Sequence, residues 1–166
     1  DALRTIQLLN NQGFSATIDI LGEHTGTENE AKDITNEYLN IYDQIAEQGL
    51  DCNISIKPSH IGLDVNIDTL RNNLDLLILK ANETNNFLRI DMESSISTER
   101  TISIFKDYYK NYTNIGTVFQ AYLYRTKDDI NKLAKDFLFN FRLCKGIYKE
   151  SNKIAKRNDW NMCNTL

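Results

Sequence analysis

Proline, histidine and cysteine are scarce in this sequence of 166 residues, which has one proline, two histidines and three cysteines. The cysteines, Cys52, Cys144 and Cys163, have no metal-binding spacing and cannot all pair, so a reducing, cytoplasmic setting fits best. Pro58 must end any strand that reaches it. No apolar run approaches the ~20 residues of a membrane-spanning helix, and no signal peptide opens the chain. GxGxxG and GxxxxGK(S/T) motifs are absent, which excludes a Rossmann fingerprint and a P-loop.

The charge balance is mildly acidic, with a formal net charge of -4 and an isoelectric point near 5.2. Because nucleic-acid-binding surfaces are basic, we expect no nucleic-acid partner. A composition of 41% hydrophobic and 25% charged residues is typical of a globular domain with a real core.

Five apolar, strand-like runs each end in a polar or charged residue. These residues are Glu23, Lys57, Asp91, Gln120 and Arg142, at steps of 34, 34, 29 and 22 residues, and helix-like stretches fill the intervals. Such alternation is typical of β-α units in a parallel barrel, whose chemistry gathers at the carboxyl ends of the strands. We therefore predict an α/β fold of the (β/α)8 TIM-barrel type, with strands near 14–21, 52–57, 87–92, 115–122 and 139–145.

The chain holds only about five of the eight units that this barrel requires. Complete barrels typically need roughly 250 residues, and no sixth strand is evident. Five strands alone would leave two open sheet edges, an aggregation liability that a barrel avoids by closing. The sequence thus predicts a single, partial barrel domain over residues 1–166, truncated relative to the full fold, with a loop-like tail over 149–166.

Capping patterns mark several helix boundaries. Thr27 and Glu30 have capping-box spacing at the start of the second helix, and Gly49 is well placed to end it. Thr126 and Asp129 repeat the capping-box spacing before the last helix, so we predict the same cap there. A first, short helix is predicted over 2–11.

Four strand-end side chains converge at one mouth of the barrel if neighbouring strands pair: Lys57, Asp91, Gln120 and Arg142. A lysine ammonium can neutralise an anionic group of a substrate, and an adjacent carboxylate keeps the ammonium charged and fixes its rotamer. A glutamine offers a donor and an acceptor to the edge of a heterocycle, and an arginine can stabilise charge that develops on an electron-accepting ring. The competing interpretation is that each is a solvated loop residue, although four at equivalent strand ends weaken it.

Other polar residues are weaker candidates. His24 and His60 both follow strand ends, and a metal site would need an added carboxylate, so solvated loop histidines are the simpler interpretation. Cys144 alternates onto the face of Arg142 and fits a packing role better than a nucleophilic one. Glu23 is a candidate catalytic group, but a hydrogen-bonded structural carboxylate at the barrel rim is the simpler role.

Five strand-end motifs resemble those of the proline dehydrogenase family, in the family's order and over nearly the whole chain. They read ATIDILGE, NISIKPSHIGLD, LRIDMES, VFQAYLYRTKDDI and FRLCKGIYKES, and are most similar to the monofunctional bacterial enzymes of Gram-positive type. The resemblance implies a distorted barrel that binds FAD at its mouth and oxidises L-proline to pyrroline-5-carboxylate, the first step of proline catabolism to glutamate. It also implies a membrane quinone as electron acceptor, for a cytoplasmic protein at the inner face of the cell membrane.

The same resemblance implies roles for individual residues. Lys57 would contact the proline carboxylate, and Tyr148 would lie near the substrate. Asp91 would support Lys57 and order the pocket, while Arg142 near the flavin N5 would stabilise the reduced ring. Gln120 would hydrogen-bond the isoalloxazine. The residues implied to contact the cofactor are Met92, Gln120, Arg142, Lys145, Gly146 and Ile147.

The chain departs from the family pattern in two ways. The family's RLVKGAY reads RLCKGIY here, with Cys144 and Ile147 at the changed positions, and the later strands and paired arginines have no counterpart before Leu166. Two other hypotheses stay open: a non-catalytic truncated barrel or interaction module, and a barrel enzyme that uses Lys57 for Schiff-base chemistry. The latter needs an apolar, pKa-lowering site around the lysine, which Asp91 close by would oppose.

Overall fold

A computed structural model describes residues 2–156. Five strands alternate with helices and form one sheet in sequence order, β1-β2-β3-β4-β5. This confirms the predicted α/β fold, as a parallel half-barrel of five strands; Cys163 and the tail beyond residue 156 lie outside the described residues. The elements are α1 (Ala2–Asn10), β1 (Ala16–Ile18), α2 (Glu28–Glu47), β2 (Cys52–Ile56), a 3-10 helix (Pro58–Ile61), α3 (Ile67–Glu83), β3 (Leu88–Ile90), α4 (Ser95–Tyr109), β4 (Ile115–Gln120), α5 (Thr126–Leu133) and β5 (Asn140–Cys144).

The first of two compact units covers residues 1–89. Strands β1 and β2 pair in parallel, with Ala16 opposite Cys52 and Ile18 opposite Ile54. The apolar stripes of α2 and α3 are buried, as their helical periodicity predicts. Burial of each large apolar side chain contributes about 1.5–3 kcal/mol, and the largest fully buried ones in this unit are Tyr38, Tyr42, Ile54, Ile56, Ile61, Leu70, Leu74, Leu77, Ile78 and Leu88.

The second unit begins at residue 90 and centres on the parallel pair of β4 and β5. Val118 lies opposite Arg142, and Gln120 lies opposite Cys144. One face of this pair carries an aromatic cluster with neighbouring ring centroids 5.2 to 6.3 Å apart, formed by Phe105, Tyr109, Phe119, Phe139 and Phe141. Because side chains alternate along a strand, Arg142 and Cys144 point to the opposite face from the cluster.

The predicted capping box at the start of α2 is confirmed. The Glu30 amide donates to the Thr27 hydroxyl at 3.2 Å, and the Thr27 amide donates to the Glu30 carboxylate at 3.1 Å. Gly49, with a φ of 60°, follows the end of this helix as expected.

The predicted capping box at the start of α5 is wrong. Thr126 is the first residue of the helix, and its hydroxyl donates to the Gln120 carbonyl at 2.5 Å. Asp129 instead accepts a hydrogen bond from the Arg125 guanidinium at 2.5 Å. Because both side chains bond other groups, Thr126 and Asp129 form no capping box despite their three-residue spacing.

Strands β1 and β3 are shorter than predicted, at three residues each. After Ile18 the chain leaves the sheet and runs toward the 3-10 helix, so the apolar residues that follow lie in a loop. Helix α5 ends at Leu133, which leaves the predicted apolar position Ala134 exposed. In the described part of the tail, Ala155 forms an isolated antiparallel bridge with Leu123; the single-domain and loop-like-tail assignments stay predictions.

Replacing Thr27 with alanine removes the hydroxyl acceptor of the capping box. We expect the free energy of unfolding to fall by about 1 kcal/mol, since the Glu30 amide loses its partner. Urea unfolding followed by circular dichroism measures this change. Thr113→Ala, at an exposed turn residue, is the matched control and should change stability by less than about 0.5 kcal/mol; equal losses in the two variants would contradict the prediction.

Candidate active site

In the first unit, Lys57 forms an ion pair at the end of β2. Its ammonium donates to the Asp19 carboxylate at 3.0 Å, and the two side chains are 19% and 39% exposed. Asp19 directly follows the last residue of β1, so the two charges sit at the carboxyl ends of neighbouring strands. The sequence reasoning missed Asp19 because it extended β1 to residue 21 and took Glu23 as the strand-end carboxylate.

Glu23 and His24 lie in the loop between β1 and α2. The His24 side chain is close to Glu23 and to Asp64, which lies in the loop before α3. The His24 Nδ1 is 2.6 Å from an Asp64 carboxylate oxygen, and its Nε2 is 3.6 Å from Glu23. The His24 amide also donates to the Ser59 hydroxyl at 3.2 Å, and Thr25 bonds the Ser59 carbonyl through its amide and hydroxyl. These contacts tie the loop to the 3-10 helix and give Glu23 a structural position.

His60 is buried in the 3-10 helix and contacts the backbone of Gly22. A Cβ at position 22, where φ is 147°, would lie 2.6 Å from the His60 Nε2. The His60 Nδ1 is buried and has no hydrogen-bond partner. Burial lowers the pKa of His60, and the nearby Lys57 lowers it further. The ring is therefore a neutral packing group, a different state from the solvated loop histidine predicted.

In the second unit, Asp91, which follows β3, forms an ion pair with Arg142, which lies in the middle of β5 and not at its predicted end. The Arg142 guanidinium is 3.8 Å from the Asp91 carboxylate, and the side chains are 42% and 21% exposed. The carboxylate limits the rotamers of a long side chain that otherwise reaches solvent. The arginine thus keeps an exposed part that can meet a ligand.

The Gln120 carboxamide is fixed at the end of β4. Only 2% of the residue is exposed, and its Nε2 donates to the Glu93 carbonyl at 2.7 Å. Met92 and Glu93, which follow β3, are buried as well, at 6% and 3% exposed. Cys144 donates its thiol to the Phe119 carbonyl at 3.4 Å. Burial raises the pKa of the Cys144 thiol, which keeps it protonated and fits a packing role.

The segment 145–150, which we call the β5 loop, carries four of the predicted site residues. The Lys145 carbonyl accepts a hydrogen bond from the Tyr122 amide at 3.1 Å, and Ile147 is 85% exposed. Gly146 has a φ of 103°, and a Cβ there would lie 2.1 Å from the Tyr122 ring. The Tyr148 carbonyl accepts a hydrogen bond from the Tyr122 hydroxyl at 3.1 Å. The β5 loop thus places a cation at Lys145, a turn at Gly146 and the exposed Ile147 side chain close in sequence to Arg142.

Residues in β4, in β5 and in the β5 loop carry chemical groups that can bind a flavin. Arg142 and Lys145 supply positive charge for an electron-rich ring or phosphates, and Gln120 supplies amide groups for a ring edge. Ile147 offers an exposed apolar surface, whereas the side of Gly146 that a Cβ would occupy is filled by the Tyr122 ring. The donor set therefore fits FAD. The predicted support of Lys57 by Asp91 joins residues of two different units and stays a prediction.

Residues 2–156 contain neither a cluster of potential metal ligands nor a membrane-spanning helix. No group of three or more histidine, cysteine, aspartate or glutamate side chains there could hold a metal ion. Within the same residues, no helix combines the length and the apolar character needed to cross a bilayer.

Parallel strands that alternate with helices, with charged pairs on and after the strands, define this chain as part of a β/α barrel. The sequence profile described as "Proline dehydrogenase" matches residues 2–165. The chain belongs to the proline dehydrogenase family, as its motifs suggested.

Individual relatives agree with this assignment. The chain is 41% identical over 155 residues to proline dehydrogenase 2 of Bacillus subtilis (strain 168), covering 93% of this chain and 50% of that protein. It is 39% identical over 154 residues to proline dehydrogenase 1 of Bacillus subtilis subsp. natto, covering 93% of this chain and 51% of that protein. The chain therefore spans about half the length of these relatives.

Solved structures share the fold. Proline utilization A from Bdellovibrio bacteriovorus, inactivated by N-propargylglycine, superimposes with a TM-score of 0.78 at 25% identity, covering 87% of this chain and 19% of that one. Proline utilization A from Corynebacterium freiburgense gives a TM-score of 0.72 at 21% identity, covering 87% and 17%. At that lower identity the second likeness supports the fold alone.

Gly146→Ala should destabilise the second unit more than a positive φ alone explains. Gly13 also has a positive φ, 85°, but nothing lies within 4 Å of a Cβ there. We expect Gly13→Ala to lower the free energy of unfolding by about 1 kcal/mol from backbone strain. Gly146→Ala should lower it by a further ~1–3 kcal/mol, because the methyl group meets the Tyr122 ring. Urea titrations compare the two variants, and equal losses would show that the ring moves aside without cost.

Proposed function

We propose that this chain belongs to an enzyme that oxidises L-proline to pyrroline-5-carboxylate with FAD, and that it carries side chains that contact the flavin and the substrate. The observation that carries the proposal is the Asp91–Arg142 pair between the end of β3 and β5, in a chain matched by the family profile over residues 2–165. When bound, FAD would accept the hydride from the substrate carbon. The chain's own residues supply position, charge and exclusion of water around that step.

Arg142 and Gln120 are two of the proposed cofactor residues. Arg142 brings a positive charge that Asp91 holds in place, and it would stabilise negative charge as it develops on an electron-accepting ring. Gln120 is held by the Glu93 carbonyl, so its carboxamide orientation is set before a ligand arrives. Further contacts to the cofactor are proposed for Met92, Lys145, Gly146 and Ile147.

Lys57 and Tyr148 are the proposed substrate residues. The Lys57 ammonium has three N–H donors, and Asp19 takes one of them in the described structure. The remaining donors can meet a carboxylate, while Asp19 keeps the side chain oriented. Clamping the carboxylate fixes the ring of the amino acid, which near-attack geometry for hydride transfer requires.

A membrane quinone is the proposed electron acceptor, and a cytoplasmic location at the inner face of the membrane is proposed with it. Both rest on family membership together with the strand-end site. The alternative is a non-catalytic truncated barrel or interaction module. The two proposals differ in flavin chemistry, so one spectrum separates them.

The first test is the visible spectrum of the purified chain after incubation with FAD and desalting, followed by anaerobic L-proline. We expect flavin absorbance to be retained and then bleached by proline. Retained flavin that proline does not bleach would support the non-catalytic alternative. No retained flavin would contradict the proposal for this chain alone, and D-proline is the stereochemical control.

The role of Lys57 has its own test. We expect Lys57→Met to leave flavin retention unchanged and to raise the proline concentration needed for half-maximal bleaching about 10- to 100-fold, because a charged hydrogen bond is worth ~1.5–3 kcal/mol. The control is Lys32→Met, at an exposed lysine of α2, which should behave as the unmodified chain. Unchanged proline dependence in Lys57→Met would rule out contact between this lysine and the substrate.

A further inference from the structure

We propose that Tyr122 and Glu150 are positioning residues that hold the β5 loop in its ligand-binding conformation. Neither residue belongs to the site predicted from the sequence. The inference rests on the proposed function, because it concerns the loop assigned to the flavin and to proline. Both residues lie in the second unit, as does the loop.

Tyr122 supports the middle of the loop with its ring and its hydroxyl. The ring lies against Gly146 so closely that a Cβ at that position would be 2.1 Å away. The hydroxyl donates to the Tyr148 carbonyl at 3.1 Å. One side chain thus contacts the loop at two residues, on either side of Ile147. Only a glycine at 146 allows this contact, which gives that residue a task in addition to backbone freedom.

The backbone around Tyr122 is itself held on two sides. The Ala121 amide donates to the Cys144 carbonyl at 2.8 Å, which continues the pairing of β4 and β5 by one residue. The Tyr122 carbonyl accepts from the Lys156 amide at 2.8 Å, and Leu123 pairs with Ala155. Tyr122 is 2% exposed, so its ring has little freedom to move away from the loop.

Glu150 fixes the far end of the loop on the first turn of α4. Its two carboxylate oxygens accept hydrogen bonds from the Ser95 amide and the Ser95 hydroxyl, each at 2.7 Å. The amide is one of the donors that a helix start leaves unpaired, and a carboxylate is favoured there by the helix dipole. The loop is thereby attached to the same helix that follows Met92 and Glu93.

The electrostatic setting keeps the Tyr122 hydroxyl as a donor. Burial raises the pKa of Tyr122, and the Glu150 carboxylate nearby raises it further. The phenol therefore stays protonated throughout the neutral range, and the hydrogen bond to Tyr148 does not titrate there. Ile147 lies between the two residues that Tyr122 contacts, and it is 85% exposed. The conformation of the loop therefore does not depend on burial of the Ile147 side chain.

The decisive measurement is hydrogen–deuterium exchange by mass spectrometry on the whole chain, read for peptides that cover 145–150. Tyr122→Phe keeps the ring against Gly146 and removes only the hydroxyl. We expect exchange in the loop to become about fivefold faster, since one neutral hydrogen bond is lost. Glu150→Gln should give a similar increase at the Ser95 amide. The matched control is Tyr124→Phe, at a tyrosine that is 54% exposed two residues away, and it should leave loop exchange unchanged.

A second measurement separates positioning from general stability. FAD affinity, followed by quenching of flavin fluorescence, should weaken about fivefold in Tyr122→Phe while the melting temperature stays close to that of Tyr124→Phe. Unchanged loop exchange in Tyr122→Phe would overturn the proposal, and so would faster exchange with unchanged FAD affinity. If the unmodified chain binds no FAD, the proposed function fails, and the exchange data still decide whether Tyr122 and Glu150 hold the loop.

Discussion

Parallel pairing of β4 with β5 is the constraint on which the rest of the candidate site depends. The register that sets Gln120 opposite Cys144 also fixes where β5 ends and where the chain must turn. A shift of one residue would exchange the two faces of β5 and bring Arg142 onto the side of the aromatic cluster. Phe139 and Phe141 oppose such a shift, because it would remove their ring contacts with Phe105 and Phe119. Packing on one face of the strand therefore determines the chemistry available on the other.

The charges at the strand ends are arranged as local pairs. Lys57, after β2, pairs with Asp19, after β1. Arg142, within β5, pairs with Asp91, after β3. All four side chains are partly exposed, so the contribution of each pair to the free energy of folding is small. Their effect is on conformation, because a paired long side chain samples fewer rotamers than a solvated one. Each cation is held in place while part of it stays accessible.

Hydrophobic periodicity was sufficient to predict the order of helices and strands, because that signal is local and repeated along each element. Partners distant in sequence could not be predicted in the same way. The pairing of Asp91 with Arg142 depends on how the strands are arranged in the sheet. Asp19 is a strand-end residue only because β1 is three residues long. The two capping-box patterns make the same point: Thr27 had no competing partner, whereas Thr126 bonded the Gln120 carbonyl. Spacing in the sequence shows which backbone groups a side chain can reach, and the folded structure determines which group it bonds.

The contact between Gly22 and His60 has a consequence for how this loop can evolve. Any side chain at position 22 must displace the imidazole, and any larger ring at position 60 must displace the loop backbone. Making room at position 60 would not be enough for a side chain at position 22, because the φ of 147° there strains any residue other than glycine. Leu21, one residue earlier and 90% exposed, carries no such restriction. Sequences that diverge from this one should vary freely at position 21, keep glycine at position 22, and carry no larger ring at position 60.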